Sequence, residues 1–553
     1  MLSLNLTTVD YGILAVYFMV VLGIGFVARL TIKTDIDFFL SGRSLPAWIT
    51  GFAFIAANLG ALEILGQAAN GAQYGVPAVH YYWLGAVPAM IFLGIVMMPF
   101  YYGAKVRSVP EYLRLRFNEA THAFNAGTFA VATVLISGVN LFALALIIHL
   151  MIGWSVSVAI LVAAGMVLVY ITLGGLTSAI YNEVLQFCVI VASLLPLTIV
   201  ALHSVGGVDG LKNRVANFKP LGDPALHAWQ GLGIGHVTNP LASDWVGLIF
   251  GLGFVLSFGY WTTNFAEVQR ALSARNLSAA RRTPLIAAFP KIFLPGIIIL
   301  PGLIAAVTVS GLGGSGVSQQ YNTAIPHLIA NYLPEGMLGI AVTGLIAAFM
   351  AGVAANVTSF NTVVTYDLIQ SYVAKNRNSD WYLRAGRFVT VAGVLISVLT
   401  AFIAKGYSNI MNYIQTLFSI FNAPLFATFI IAMFWRRATA WGGFWSLVAG
   451  TVAAYGVNRL NAYHVIFHFG SALSASFWQA IIAFLVDAVV LVGVSLVTQP
   501  VPAERLRGLV WGLDRDPEPE ENADPRDKLW WRSPKLLAGV AIALLIVLNI
   551  ILI

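Results

Sequence analysis

The chain has 553 residues, 59% of them hydrophobic and only 10% charged, with a mean hydropathy of +0.83 that soluble globular domains do not reach. This excludes soluble enzymes and marks a polytopic, all-α membrane protein. The net charge of +7 has to be tested against membrane topology before nucleic acid is considered, and a single cysteine, Cys188, excludes a disulfide framework and a cysteine metal cluster.

Apolar runs long enough to cross about 30 Å of hydrocarbon fall at about 10–30, 47–72, 78–102, 121–149, 154–174, 177–203 and 243–269 in the first half. The second half adds 284–310, 336–372, 386–404, 408–435, 439–458, 473–497 and 535–553, about fourteen spans in all. The first run is too long and uniform for a signal-peptide core, so it reads as a retained helix. Two connections are long. The outer one, 204–242, is rich in Gly and Pro and is expected to form a structured cap. The inner one, 498–534, carries seven acidic residues between 514 and 527 with several prolines, and reads as a solvated linker.

Orientation follows from Lys and Arg. With the amino terminus outside, 24 of the 30 basic residues lie in inner loops, among them Arg43, Arg107, Arg116, Arg270, Arg282 and Arg436. Five lie outside and Lys291 alone lies within a span. That excess places both termini outside and accounts for the net charge without nucleic acid.

Several patterns carry little chemistry in this context. Gly311-Leu312-Gly313-Gly314-Ser315-Gly316 fits a dinucleotide fingerprint but follows no strand, and His464 and His468 have metal spacing without a third ligand. Intramembrane ionisable residues say more, because each needs a partner, a cavity or a neutral state. They are Glu63, Glu183, Lys291 and Asp487. The stretch Ile55-Ala56-Ala57-Asn58-Leu59-Gly60-Ala61-Leu62-Glu63 puts an amide and a carboxylate at membrane depth around a glycine. It suits a helix that unwinds briefly to offer carbonyls to a ligand; a kinked span whose Glu63 pairs privately is the structural alternative.

Ordered segments across residues 36–440 resemble the sodium/solute symporter family, and within it the sodium/glucose cotransporter-like branch. They include 37–46 (Asp-Phe-Phe-Leu-Ser-Gly-Arg-Ser-Leu-Pro), Ile55-Ala56-Ala57-Asn58, Val109-Pro110-Glu111-Tyr112, Gly174-Gly175-Leu176-Thr177 with Glu183 and Gln186, Gln269-Arg270-Ala271-Leu272-Ser273, and Thr365-Tyr366-Asp367. The resemblance implies a LeuT-type 5+5 inverted repeat with one leading and three trailing helices. The leading helix and inner loop would cover 1–46, the repeats 47–203 and 243–437, and the outer loop 204–242. Two trailing helices would follow in 438–497, then the linker 498–534 and the last helix 535–553. The second and seventh spans would be the broken first helices of the repeats, with the solute near the midplane between them.

Carried over residue by residue, the resemblance implies a sugar site at Asn58, Glu63, Tyr82, Tyr260, Lys291 and Gln415, with Tyr260 beside Trp261 as an inner aromatic gate. Tyr82 stands where such sugar transporters carry a glutamate, so the carboxylate has moved to the neighbouring helix at Glu63, and the identity of the sugar does not transfer. The implied sodium site departs further. Its carbonyls fall on Ala56, Leu59 and Ala348, but its two hydroxyl positions are Ala351 and Gly352, a poor oxygen set for a hard cation. Water or another side chain could complete a sodium site; coupling could pass to protons through Glu183 or Glu63; or transport could be uncoupled.

The expectation is a multi-pass transporter of the cell membrane, not an enzyme, that moves a small polar organic solute, a sugar first, by alternating access. No cofactor is expected beyond a coupling ion, Na+ or alternatively H+. Its partners are the solute and the lipid bilayer, with no nucleic acid and no obligatory protein partner evident. A transporter-like membrane sensor is the rival from another class, weakened because no kinase or receiver domain follows the last helix. An intramembrane transferase would need acids grouped at one membrane face, which the sequence lacks.

Overall fold

The computed structural model describes residues 6–31, 39–314, 316–465, 468–513 and 525–551. The start of the 37–46 motif, Lys33, Asn5, Ser315 and the acidic core of the linker, 514–524, lie outside the described residues. Among the described residues the regular structure is helical, apart from a two-stranded hairpin, Leu232–Gly233 with His236–Val237, and an isolated bridge between Leu45 and Ala274.

Among the described residues ten helices are long and apolar enough to cross a membrane, and two bent pairs bring the count to twelve. The two remaining expected runs also fall on helix. Residues 439–458 lie in Ala440–Ala462, whose glycines and polar residues dilute its hydropathy. The runs 154–174 and 177–203 join as one helical stretch, Val156–Ser204, continuous through Gly174-Gly175. No proline or charged linker separates them, and glycine tolerates helical backbone at modest cost.

The bent pairs are Ala47–Asn58 with Leu62–Tyr74, at 55°, and Gly247–Thr263 with Phe265–Leu272, at 49°. They are the second and seventh spans, one opening each expected repeat. Each break has a local cause. In the second span Leu59 leaves the helix (φ −73°, ψ 43°) and the Gly60 N–H donates back to the Asn58 carbonyl at 2.8 Å. In the seventh, Asn264 turns extended and its Oδ1 accepts from the Ala266 N–H at 3.0 Å, capping the new helix.

Around these spans pack Leu277–Thr308, Met337–Thr362 and Ile410–Phe434, whose buried faces close the core. Leu277–Thr308 stays helical despite four prolines, since its neighbours in the bundle can satisfy the freed carbonyls. The outer connection is structured, with a helix at Gly207–Ala216 and the hairpin. It is fastened to the third span where His80 Nε2 lies 2.8 Å from the Ala228 carbonyl. Gly75 beneath it has φ +74°, and a Cβ there would lie 2.5 Å from the Ala225 oxygen.

The inner side is clamped by Arg116, buried with its guanidinium donating to the carbonyls of Ala432, Trp435 and Ala438. The described flanks of the linker are docked: Leu509 accepts from Tyr112 OH at 2.6 Å, the Trp511 N–H donates to Met433, and Asp527 pairs with Arg282. The apolar run Leu509-Val510-Trp511 explains why this part packs while its acidic neighbour is expected to be solvated.

Candidate functional site

Wide helical turns place the polar groups. Backbone bonding loosens to i→i+5 over Leu62–Gly66, Tyr81–Ala86 and Gly247–Phe258. Such bulges re-aim side chains and are frequent at functional sites. The first holds Glu63, the second Tyr82, and the third ends just before Tyr260.

From these turns a continuous chain of hydrogen bonds crosses four spans. Tyr82 OH donates to Glu63 Oε2 at 2.6 Å, and Glu63 Oε1 lies 2.8 Å from Lys291 Nζ. Lys291 donates to Asn58 Oδ1 at 2.5 Å, Asn58 Nδ2 donates to Tyr260 OH at 3.1 Å, and Tyr260 OH donates to Glu267 Oε1 at 2.8 Å. The ammonium also sits 4.8 Å from the Tyr82 ring and 5.0 Å from the Trp261 ring, on the negative face of each. Lys291 is 1% exposed and Glu63 6%. An unpaired buried charge costs several kcal/mol, so each holds the other in place.

Beside this chain opens a small cavity, lined by Glu63, Tyr82, Gln67, Tyr260, Trp261, Gln415 and Phe418 among others. Tyr260 packs on Phe418 with ring centroids 4.7 Å apart, and Trp261 stacks on Phe54. Gln415 reaches only the Met411 sulfur, at 3.4 Å, and its Oε1 has no partner. Five of the six residues expected to hold solute therefore meet directly: Asn58, Glu63, Tyr82 and Tyr260 share the network with Lys291, and Gln415 faces it across the cavity. Amide, carboxylate and hydroxyl groups beside aromatic faces can bond a ligand that both donates and accepts hydrogen bonds while its apolar parts pack on the rings.

The opposite side of the second span is closed. Gly60 lies against Gly352, and Asn140 fills the notch between them: its Oδ1 accepts from the Ala61 N–H at 2.8 Å, and its Nδ2 donates to the Ile136 carbonyl. A Cβ on Gly60 would fall 2.3 Å from Asn140 Oδ1, and one on Gly352 2.2 Å from it. The N–H freed by the broken helix is thus satisfied by a neighbouring side chain. Ala56, Leu59, Ala348, Ala351 and Gly352 are all buried. The Ala56 carbonyl is already an acceptor for the Leu59 N–H, at 3.0 Å. Thr358 and Ser359, two turns on, donate back to Ala355 of their own helix.

Glu183 stands apart from the cavity, buried and paired with Arg270 through both guanidinium arms. Asp487 is buried among the trailing helices and accepts from Thr428 Oγ1 at 2.9 Å. Among the described residues no group of three His, Cys, Asp or Glu is placed to hold a metal.

Two residues escaped the sequence reading. Glu267 lies in Phe265–Leu272, at the inner end of the expected run 243–269 beside a basic loop, where a carboxylate reads as interfacial; the fold buries it, to 2% exposure. Asn140 is a lone amide in the apolar run 121–149. The penalty for a polar group at that depth is the signal that could have found it.

A bundle of membrane-length helices, with two broken spans meeting at a polar cavity, defines a membrane transport protein of the broken-helix kind. The sodium:solute symporter family model matches residues 38–450, and the chain belongs to that family. Sodium/glucose cotransporter 1 of Ovis aries is 27% identical over 557 residues, covering 94% of this chain and 83% of the relative. Solute carrier family 5 member 4B of Mus musculus is also 27% identical, over 94% and 83%. Among solved structures, a Na+-coupled sialic acid symporter matches with a TM-score of 0.74 at 18% identity, over 89% of this chain and 99% of that one. Mhp1, a nucleobase-cation-symport-1 family transporter, matches with 0.51 at 14% identity, over 85% and 97%. These two structures establish the shared fold.

Proposed function

We propose that the chain is a secondary transporter of the cell membrane that carries a small polar organic solute, a sugar in the first instance, by alternating access around its two broken spans. The observation that carries this is the network Tyr82–Glu63–Lys291–Asn58–Tyr260, of which Tyr82, Glu63 and Tyr260 line one cavity together with Gln415. The similarity to sodium/glucose cotransporters supports a sugar. In this reading Asn58, Lys291, Glu63 and Gln415 bond the solute hydroxyls, Tyr260 and Trp261 cover its ring, and rotation of Tyr260 opens the inner side. Both chain termini are outside, from the excess of inner Lys and Arg.

Sodium is the family's coupling ion, yet the seam gives it few oxygens. Positions 351 and 352 have no hydroxyl, and the Asn140 oxygen is committed to the Ala61 N–H. Sodium coupling therefore needs water or another side chain to complete the oxygen set, and a proton is the alternative coupling ion. The test of the solute is uptake of labelled hexoses, polyols and amino acids into proteoliposomes of the full chain. A hexose or polyol should enter faster than the amino acids, and Lys291→Ala and Gln415→Ala should each abolish that entry. Normal sugar uptake by both variants would remove this pocket.

A further inference from the structure

At the level of the two breaks the buried charges do not balance. Three carboxylates, Glu63, Glu183 and Glu267, face two cations, Lys291 and Arg270. Glu63 is joined to Lys291 at 2.8 Å, and Glu183 is joined to Arg270. Glu267 is left over. It is 2% exposed, and among the described residues its Oε1 accepts only from Tyr260 and its Oε2 is buried without a partner. Arg270, one turn further along the same helix, is aimed at Glu183, while Lys291 on Leu277–Thr308 is aimed at Glu63 and Asn58. Arg270, Lys291 and Glu183 act on Glu267 only at longer range. A carboxylate left ionised there would cost several kcal/mol, which a proton removes.

We propose that Glu267 is a proton-binding site that couples proton movement to the seventh-span hinge. Its position gives the proton something to do. Tyr260 ends the first half of the broken span and Glu267 begins the second, so their hydrogen bond is a latch across the 49° bend. With the proton on Oε2, Glu267 is neutral and Oε1 remains a carbonyl acceptor for Tyr260. Loss of the proton to the opposite side leaves a bare buried carboxylate, which favours a rearrangement that opens the hinge to water or to a cation. The same Tyr260 hydroxyl accepts from Asn58, so the latch reads the occupancy of the cavity. The transport consequence rests on the transporter reading above; the protonation does not.

The experiment is infrared difference spectroscopy of the full chain in lipid during a pH titration, which follows the C=O stretch of protonated carboxylic acids. The wild type should show a titrating band that is lost in Glu267→Gln and shifted in Tyr260→Phe, where the acid keeps its proton but loses a donor. Asp487→Asn controls for the other buried acid and should leave that band in place. A titrating band unchanged in Glu267→Gln would overturn the proposal. So would carboxylate bands that respond to Na+ and not to pH. A parallel uptake arm uses labelled D-glucose and an acid-outside gradient. Gradient-driven uptake present in the wild type and lost in Glu267→Gln supports the coupling role, whereas equal gradient-driven uptake by both overturns it. Failure of the wild type to take up any sugar would count against the sugar reading alone, and the infrared result would still decide the proton site.

Discussion

On one side of the break in the second span, Glu63 reaches a cavity and Asn58 the hydrogen-bond network beside it; on the other, Gly60 and Gly352 leave no room for a methyl group. Both sides use the same irregular backbone, and both must satisfy groups that a regular helix would have paired. The cavity side does so with charged and hydroxyl side chains that water or solute can also satisfy. The seam side does so with one neutral amide, Asn140, whose bonds are already made. A site that exchanges ligands needs groups whose partners can be replaced, and only the cavity side has them.

The comparison breaks most sharply at Lys291. Removing it strands Glu63 in a buried site, so Lys291→Ala should destabilise the protein by about 3–5 kcal/mol and abolish solute uptake. Lys291→Met with Glu63→Gln should restore thermal stability without restoring uptake. If that double variant transports normally, the cavity side is structural. Next in size is the seam. Gly352→Ser places an atom against Asn140 and should cost about 1–3 kcal/mol in thermal unfolding, as overpacking does. Asn140→Ala combined with Ala351→Ser and Gly352→Ser should relieve the overlap and supply two hydroxyls; a sodium response of uptake or stability in this variant, absent from the wild type, would sharpen the contrast. The smallest effect belongs to Tyr260→Phe, which removes a hydroxyl shared by Asn58 and Glu267. It should cost on the order of 1 kcal/mol and loosen the dependence of uptake on the gradient.

Much of this contrast can be read from the chain, because membrane depth makes polar residues conspicuous. Asn58, Glu63 and Lys291 stand out in apolar runs, and the Gly60 between small residues marks the break. The apolar runs fall on helices for the same reason, since a span has to satisfy its own backbone. What is lost is whatever depends on which helix lies opposite. The paucity of oxygens at Ala351 and Gly352 is visible in sequence, but the amide that fills the gap comes from residue 140, some 210 positions away. Glu267 is hidden differently: its helix, Phe265–Leu272, is short and amphipathic, so its burial follows from the 49° bend at Asn264 rather than from hydropathy. The continuity of Val156–Ser204 is likewise a matter of two glycines that permit helix as readily as a turn.

The most direct test of the whole account is uptake of a labelled sugar into proteoliposomes of the wild-type chain under three conditions: an inward sodium gradient, an acid-outside pH gradient, or neither. The account predicts uptake that follows the pH gradient. Uptake that depends on sodium at low concentration and ignores the pH gradient would contradict it.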